Sequence, residues 1–205
     1  MKLRLIVVGL GLFFCQPTEA ASLQADPVRD FIQLCGETQG TGATAFALAD
    51  STGWTLPPSR MHPPPRFDSG ISKLSIQYRM KTVPGGLFLL GIGTAAGNAG
   101  VPMRMCSIAS YPTTHVEDAL DFATLRQELN GWAGVPPLAK RNAPQFVMFV
   151  FKAGPQGHFP LPQSVDPLAI DGPWPDGAVV VTLTSVDKVD AAGPFRIVSY
   201  TTAGP

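Results

Sequence analysis

Over residues 71–83 apolar and polar side chains alternate, with Leu74, Ile76, Tyr78 and Met80 on one side and Lys73, Ser75, Gln77, Arg79 and Lys81 on the other. A period of two predicts a half-buried strand with one wet, basic face. Residues 86–94 and 101–110 predict two further strands, and the turn material Ala96-Gly97-Asn98-Ala99-Gly100 between them makes a meander of the three. Residues 145–152 and Ala178–Val186 are apolar on both faces, as central strands of a covered sheet are, and residues 195–201 supply a sixth strand.

Helical signals flank these runs. Asp26 followed by Pro27 reads as an N-cap with proline at the first helical position, and Val28, Phe31, Ile32 and Cys35 then share one face, which is expected to be buried. A second short helix is expected over 43–50, stopped at Gly53 with Trp54 just beyond. Residues 56–66, LPPSRMHPPPR, contain five prolines and predict an extended connector. Thr114 and Glu117 form a capping box for a third helix running to Asn130. Val116, Ala119, Leu120 and Ala123, flanked by Phe122, Leu125 and Leu129, would be its apolar side, and Gly131 its end.

The order predicts a single α+β domain over 21–205: an antiparallel sheet of about six strands (βββ-α-βββ) with two N-terminal helices, the helices on one face. Profilin-like and PAS-like folds are analogues at the level of layers, which carries no function. One position conflicts with a simple two-faced reading. Arg104 shares strand parity with Cys106 and Ile108, while Met103 and Met105 take the other face, so a bulge or a strand covered on both sides is required.

The first residues add an address. Lys2 and Arg4, then the apolar stretch 5–15, then polar and small residues to Ala21 follow the plan of a secretory signal peptide over 1–20, with the mature chain starting at Ala21. The stretch is too short for a stable bilayer anchor. A lipidated Cys15 is the alternative, opposed by the bulky Phe14 before it. No later apolar run is long enough for a transmembrane helix. A periplasmic or secreted location is therefore expected.

Charge then excludes one class of partner. Fifteen Lys and Arg balance fifteen Asp and Glu, and the loss of Lys2, Arg4 and Glu19 leaves 13 basic against 14 acidic residues, with no electrostatic footprint for nucleic acid. Charged residues are 15 % of the chain and Gly and Pro number 21 each, so the surface is weakly charged and rich in turns. With Cys15 removed, Cys35 and Cys106 are left as a pair in an oxidising compartment. They lie 71 positions apart, far from the close spacing of a redox dithiol, which predicts a structural bridge stapling the first helix to a strand.

Phe31, Cys35, Thr38, Ala47, Ala49, Gly53-Trp54 and Pro57-Pro58, with Cys106 in a later strand, together resemble a family of small uncharacterised exported proteins of alphaproteobacteria. The resemblance covers about half the chain and consists of core and stapling positions. It implies export from a bacterial cell and a Cys35–Cys106 bridge, and brings no catalytic residue and no cofactor.

Motifs for chemistry are sparse. His62, His115 and His158 lack the short spacing of a zinc site, and Gly91, Gly93 and Gly97 miss the spacing of a dinucleotide fingerprint. Ser107 and Ser110, with His115 near in sequence, are the available nucleophile and base, without a named acid. Asp166, Asp171 and Asp176 have ordinary turn roles. The segment 154–177 is long for a loop, and Phe159, Leu161, Leu168, Ile170 and Trp174 make it a candidate interaction surface or, alternatively, a lid folded over one sheet face. The expectation is a non-catalytic domain that binds a periplasmic protein or envelope component; the alternative is an exported hydrolase whose residues cannot be named.

Overall fold

A computed structural model describes residues 26–58, 72–84, 86–96, 102–112, 121–165, 174–186 and 195–203. The signal segment 1–20, the Thr114/Glu117 capping box, His62, His115, Leu168 and Ile170 lie outside them. Helix α1 (Pro27–Phe31) opens as expected: the Asp26 carboxylate accepts from the amides of Val28 and Arg29 at 2.9 and 3.1 Å. It continues as a π-helical turn over Ile32–Gly36, which turns both Leu34 and Cys35 inward. Helix α2 covers Gly42–Ser51, and Gly53 at φ 86° releases the chain so that Trp54 can bury.

One antiparallel sheet carries the rest. Its strands are β1 (Ser72–Val83), β2 (Gly86–Ala96), β3 (Pro102–Pro112), β4 (Asn142–Ala143), β5 (Phe146–Gly154), β6 (Gly157–Pro160), β7 (Ala178–Val186) and β8 (Phe195–Ala203). The order is β1-β2-β3-β8-β7-β5, with β4 and β6 both pairing with the outer edge of β5. The sheet thus has eight strands where about six are expected. The six long ones match the expected segments; β4 and β6 are too short to show a period, and β6 lies inside the presumed loop, folded back through the turn at Pro155-Gln156 with Gly157 at φ 122°.

Helix α3 (Phe122–Ala133) follows β3 in sequence and is capped by Asp121, whose carboxylate accepts from the Thr124 amide at 3.0 Å. It does not end at Gly131. The helix runs on because Ala133 is fully buried and Trp132 packs edge-on against both Phe31 and Phe151, and the left-handed Gly134, φ 62°, stops it. Gly36 makes room for that indole: a Cβ there would sit 2.6 Å from the Trp132 ring.

All three helices pack on the same side of the sheet. Val28, Phe31, Leu34, Ala45, Ala49, Leu125, Leu129 and Ala133 meet Leu90, Ile108, Phe149, Val181 and Val198 in one core. The opposite face carries a second, smaller cluster of Leu138, Met148, Val150 and Val180, against which Phe146, Leu161, Val165 and Trp174 pack.

Strand β1 reverses its expected orientation. Gln77, Arg79 and Lys81 lie on the side that faces the helices, while Ile76, Tyr78 and Met80 are half-buried on the far side. Arg79 and Lys81 are therefore half-buried, while Gln77 on the same face stays exposed. Arg79 donates to Asp50 of α2 at 2.7 Å with its guanidinium over the Phe46 ring, and Lys81 donates to Asp30 of α1 at 3.0 Å beside Trp54. At the rim of a helix layer a long cationic arm can lie along aromatic rings and end at a carboxylate, which a short apolar side chain cannot do.

Candidate functional site

Cys35 and Cys106 are joined by a disulfide, with Cα atoms 5.4 Å apart. Cys106 pairs across the sheet with Ile92 on β2 and Tyr200 on β8, so the bridge pins the π turn to the middle of the sheet. The segment that follows is then bound to lie low. Gly40 donates its amide to the Cys35 carbonyl at 2.8 Å, and Gln39 and Gly40 both adopt positive φ, 52° and 67°. A Cβ on Gly40 would touch the Tyr200 ring at 3.4 Å, so glycine allows this close approach as well as the left-handed turn.

From there the chain enters α2 at Thr41, whose side chain makes no cap hydrogen bond. The first turn of α2 and the end of the β1–β2–β3 meander line an open cavity of about 580 Å³, within the roughly 300–1,000 Å³ of small-molecule sites. Gly40, Thr41, Gly42 and Ala43 form one wall, Phe46 and Ile92 give apolar contact, and Ser75, Gln77 and Thr94 add uncharged polar groups. Arg104 completes the lining.

Arg104 pairs with Thr94 on β2 and Thr202 on β8, one step beyond the disulfide on the same side of β3. Its parity conflict is resolved by cover on both faces: Met103 and Met105 are half-buried on one side, and the cavity lies on the other. The Arg104 Nε is buried without a hydrogen-bond partner. Burial pushes the nearby Tyr200 hydroxyl above its ordinary value, and the Arg104 charge acts in the opposite direction. Arg79 is committed elsewhere. Its hydrogen bond holds the Asp50 carboxyl below the ordinary carboxylate range.

The residues singled out from sequence fall in other places. His158 on β6 stacks on Phe151 at 4.1 Å, meets Trp132 edge-on, and places Nδ1 3.0 Å from the Ala133 carbonyl, which ties β6 to the end of α3. The Ser107 and Ser110 side chains lie on opposite faces of the sheet and bond to the backbone oxygens of Gly91 and Arg196. Among the described residues no three His, Cys, Asp or Glu side chains gather as a metal site would need. No described helix is long and apolar enough to cross a membrane.

Leu161 and Trp174 fold back onto the second cluster, the lid arrangement, while Phe159 stays 53 % exposed. The cavity was not foreseen. Its signal in the sequence was Arg104, the cation on the core-facing parity of an apolar strand. Set against protein-family models, curated proteins and solved structures, the chain finds no match.

Proposed function

We propose that this chain is an exported, non-catalytic binding domain and that its ligand sits in the cavity between the start of α2 and β1–β3. The cavity itself carries the reading: an open pocket of about 580 Å³ on a frame held by the Cys35–Cys106 bridge. Polar groups without acid–base partners fit a site that holds a molecule rather than transforms one. The expected partner narrows from a protein or envelope component to a small molecule of periplasmic or envelope origin. The bridge supports an oxidising compartment and so supports export. The profilin-like and PAS-like analogy extends to the single helix-covered antiparallel sheet.

A ligand-observed NMR screen of amphiphilic fragments against the chain exported by a bacterial host tests this. Fragments should bind the wild type and lose binding in Ser75→Trp, which fills the mouth of the cavity while the melting temperature is retained. Absence of binders, or binders indifferent to Ser75→Trp, overturns it. Intact-mass measurement of the same material should give a chain starting at Ala21; a retained Met1 overturns the export step, and a lipidated Cys15 overturns cleavage before Ala21 in favour of a lipid anchor.

A further inference from the structure

The geometry points to a monocarboxylate on an apolar body as the ligand of this cavity, its carboxylate held by the Arg104 guanidinium. This rests on the binding reading above and names the chemical class. Arg104 is the one charged side chain among the described residues lining the cavity, and it is half-buried with a fully buried, unbonded Nε. A guanidinium presents its N–H groups as a rigid planar fork, and with Nε itself buried the pair of terminal Nη groups is the edge left to meet the two oxygens of a carboxylate.

Among the described residues no acid lines the cavity. Asp50 is held by Arg79 at 2.7 Å and Asp30 by Lys81 at 3.0 Å, and neither lines the cavity. The first turn of α2 adds potential of the same sign, since Thr41 leaves its amides without a side-chain cap. Charge count then separates the anions. Among the described lining residues one arginine, with no lysine or second arginine, balances a single negative charge, which favours a carboxylate over a phosphate dianion. Phe46 and Ile92 supply the surface for the apolar remainder.

The test is calorimetric titration of the exported chain with hexanoate, its neutral isostere hexanamide, and inorganic phosphate. Hexanoate should bind at least about tenfold more tightly than either of the others, as expected when a charge-assisted pair is made only with the carboxylate. Arg104→Gln should bring hexanoate down to the level of hexanamide while leaving hexanamide unchanged, and Ser75→Trp should abolish both. The wild-type comparison decides the matter even if Arg104→Gln fails to fold. Equal binding of hexanoate and hexanamide, lost in Ser75→Trp, overturns the carboxylate and leaves the cavity reading standing. Tighter binding of phosphate overturns the carboxylate in favour of a phosphoryl group. No binding of any probe, or binding indifferent to Ser75→Trp, overturns both.

Discussion

Strands β5 and β7 present Val147, Phe149, Phe151, Val179, Val181 and Leu183 to the helices, all buried, whereas β1 presents Gln77, Arg79 and Lys81 to the same layer. One half of the sheet is dry on its helix side. At the opposite edge β1 is lined with long polar arms and the cavity opens beside it, while β2 and β3 still carry Phe88, Leu90, Ile92 and Ile108 in the core. Apolar side chains interdigitate until no space is left, while cations that must each reach a partner leave gaps between them. The dry half supplies stability, and the polar edge leaves room for the cavity proposed above as a ligand site.

Breaking the dry half should have the largest effect. Phe149→Ala removes a fully buried ring from β5 and is expected to cost about 3–5 kcal/mol in urea unfolding; a loss under about 1 kcal/mol would remove the distinction between the halves. Next comes the staple between them. Replacing Cys35 and Cys106 by serine should cost about 2–4 kcal/mol, and it should raise amide exchange over residues 36–42 before it does so in β5 or β7. Unchanged exchange in that segment would show that the bridge does not hold down the cavity wall.

Gly36→Ala places a Cβ against the Trp132 ring and should destabilise by about 1–3 kcal/mol, read from the denaturation midpoint. Lys81→Met breaks the pair with Asp30 at the rim, and because the pair is only partly buried the expected loss is about 0.2–1 kcal/mol. A larger loss would mean that β1 belongs energetically with the dry half. The smallest effect is on pH dependence. Hydrogen bonds from the Thr124 backbone and side chain hold the Asp121 carboxyl below its ordinary 3.8. A carboxyl depressed on folding stabilises fully above its unfolded value, and that contribution is lost as pH falls through the folded one. Asp121→Asn should therefore flatten the acid limb of a melting-temperature profile and leave its neutral plateau nearly unchanged; an unaltered acid limb would rule out this cap as its source.

Much of the architecture was legible because it rests on local periods. The six long strands, the Asp26-Pro27 helix start and the pairing of Cys35 with Cys106 follow from alternation, capping chemistry and cysteine count. Where local rules competed, tertiary contacts decided: α3 passes Gly131 because Trp132 and Ala133 have partners on other elements. The presumed long loop hides the hairpin to β6, since four residues such as Gly157–Pro160 are too few to show a period.

The sequence by itself determined the six long strands and the first helix start, where the bridge forms, and that Arg104 is out of place on its strand. Only the tertiary structure decided that β1 turns its basic row toward the helices, and that Arg104 faces a cavity walled by a helix start some sixty residues earlier. Alternation states that a strand has two faces but not which one the helices will cover. That choice depends on Asp30 and Asp50 standing at the helix rim where the cations can reach them.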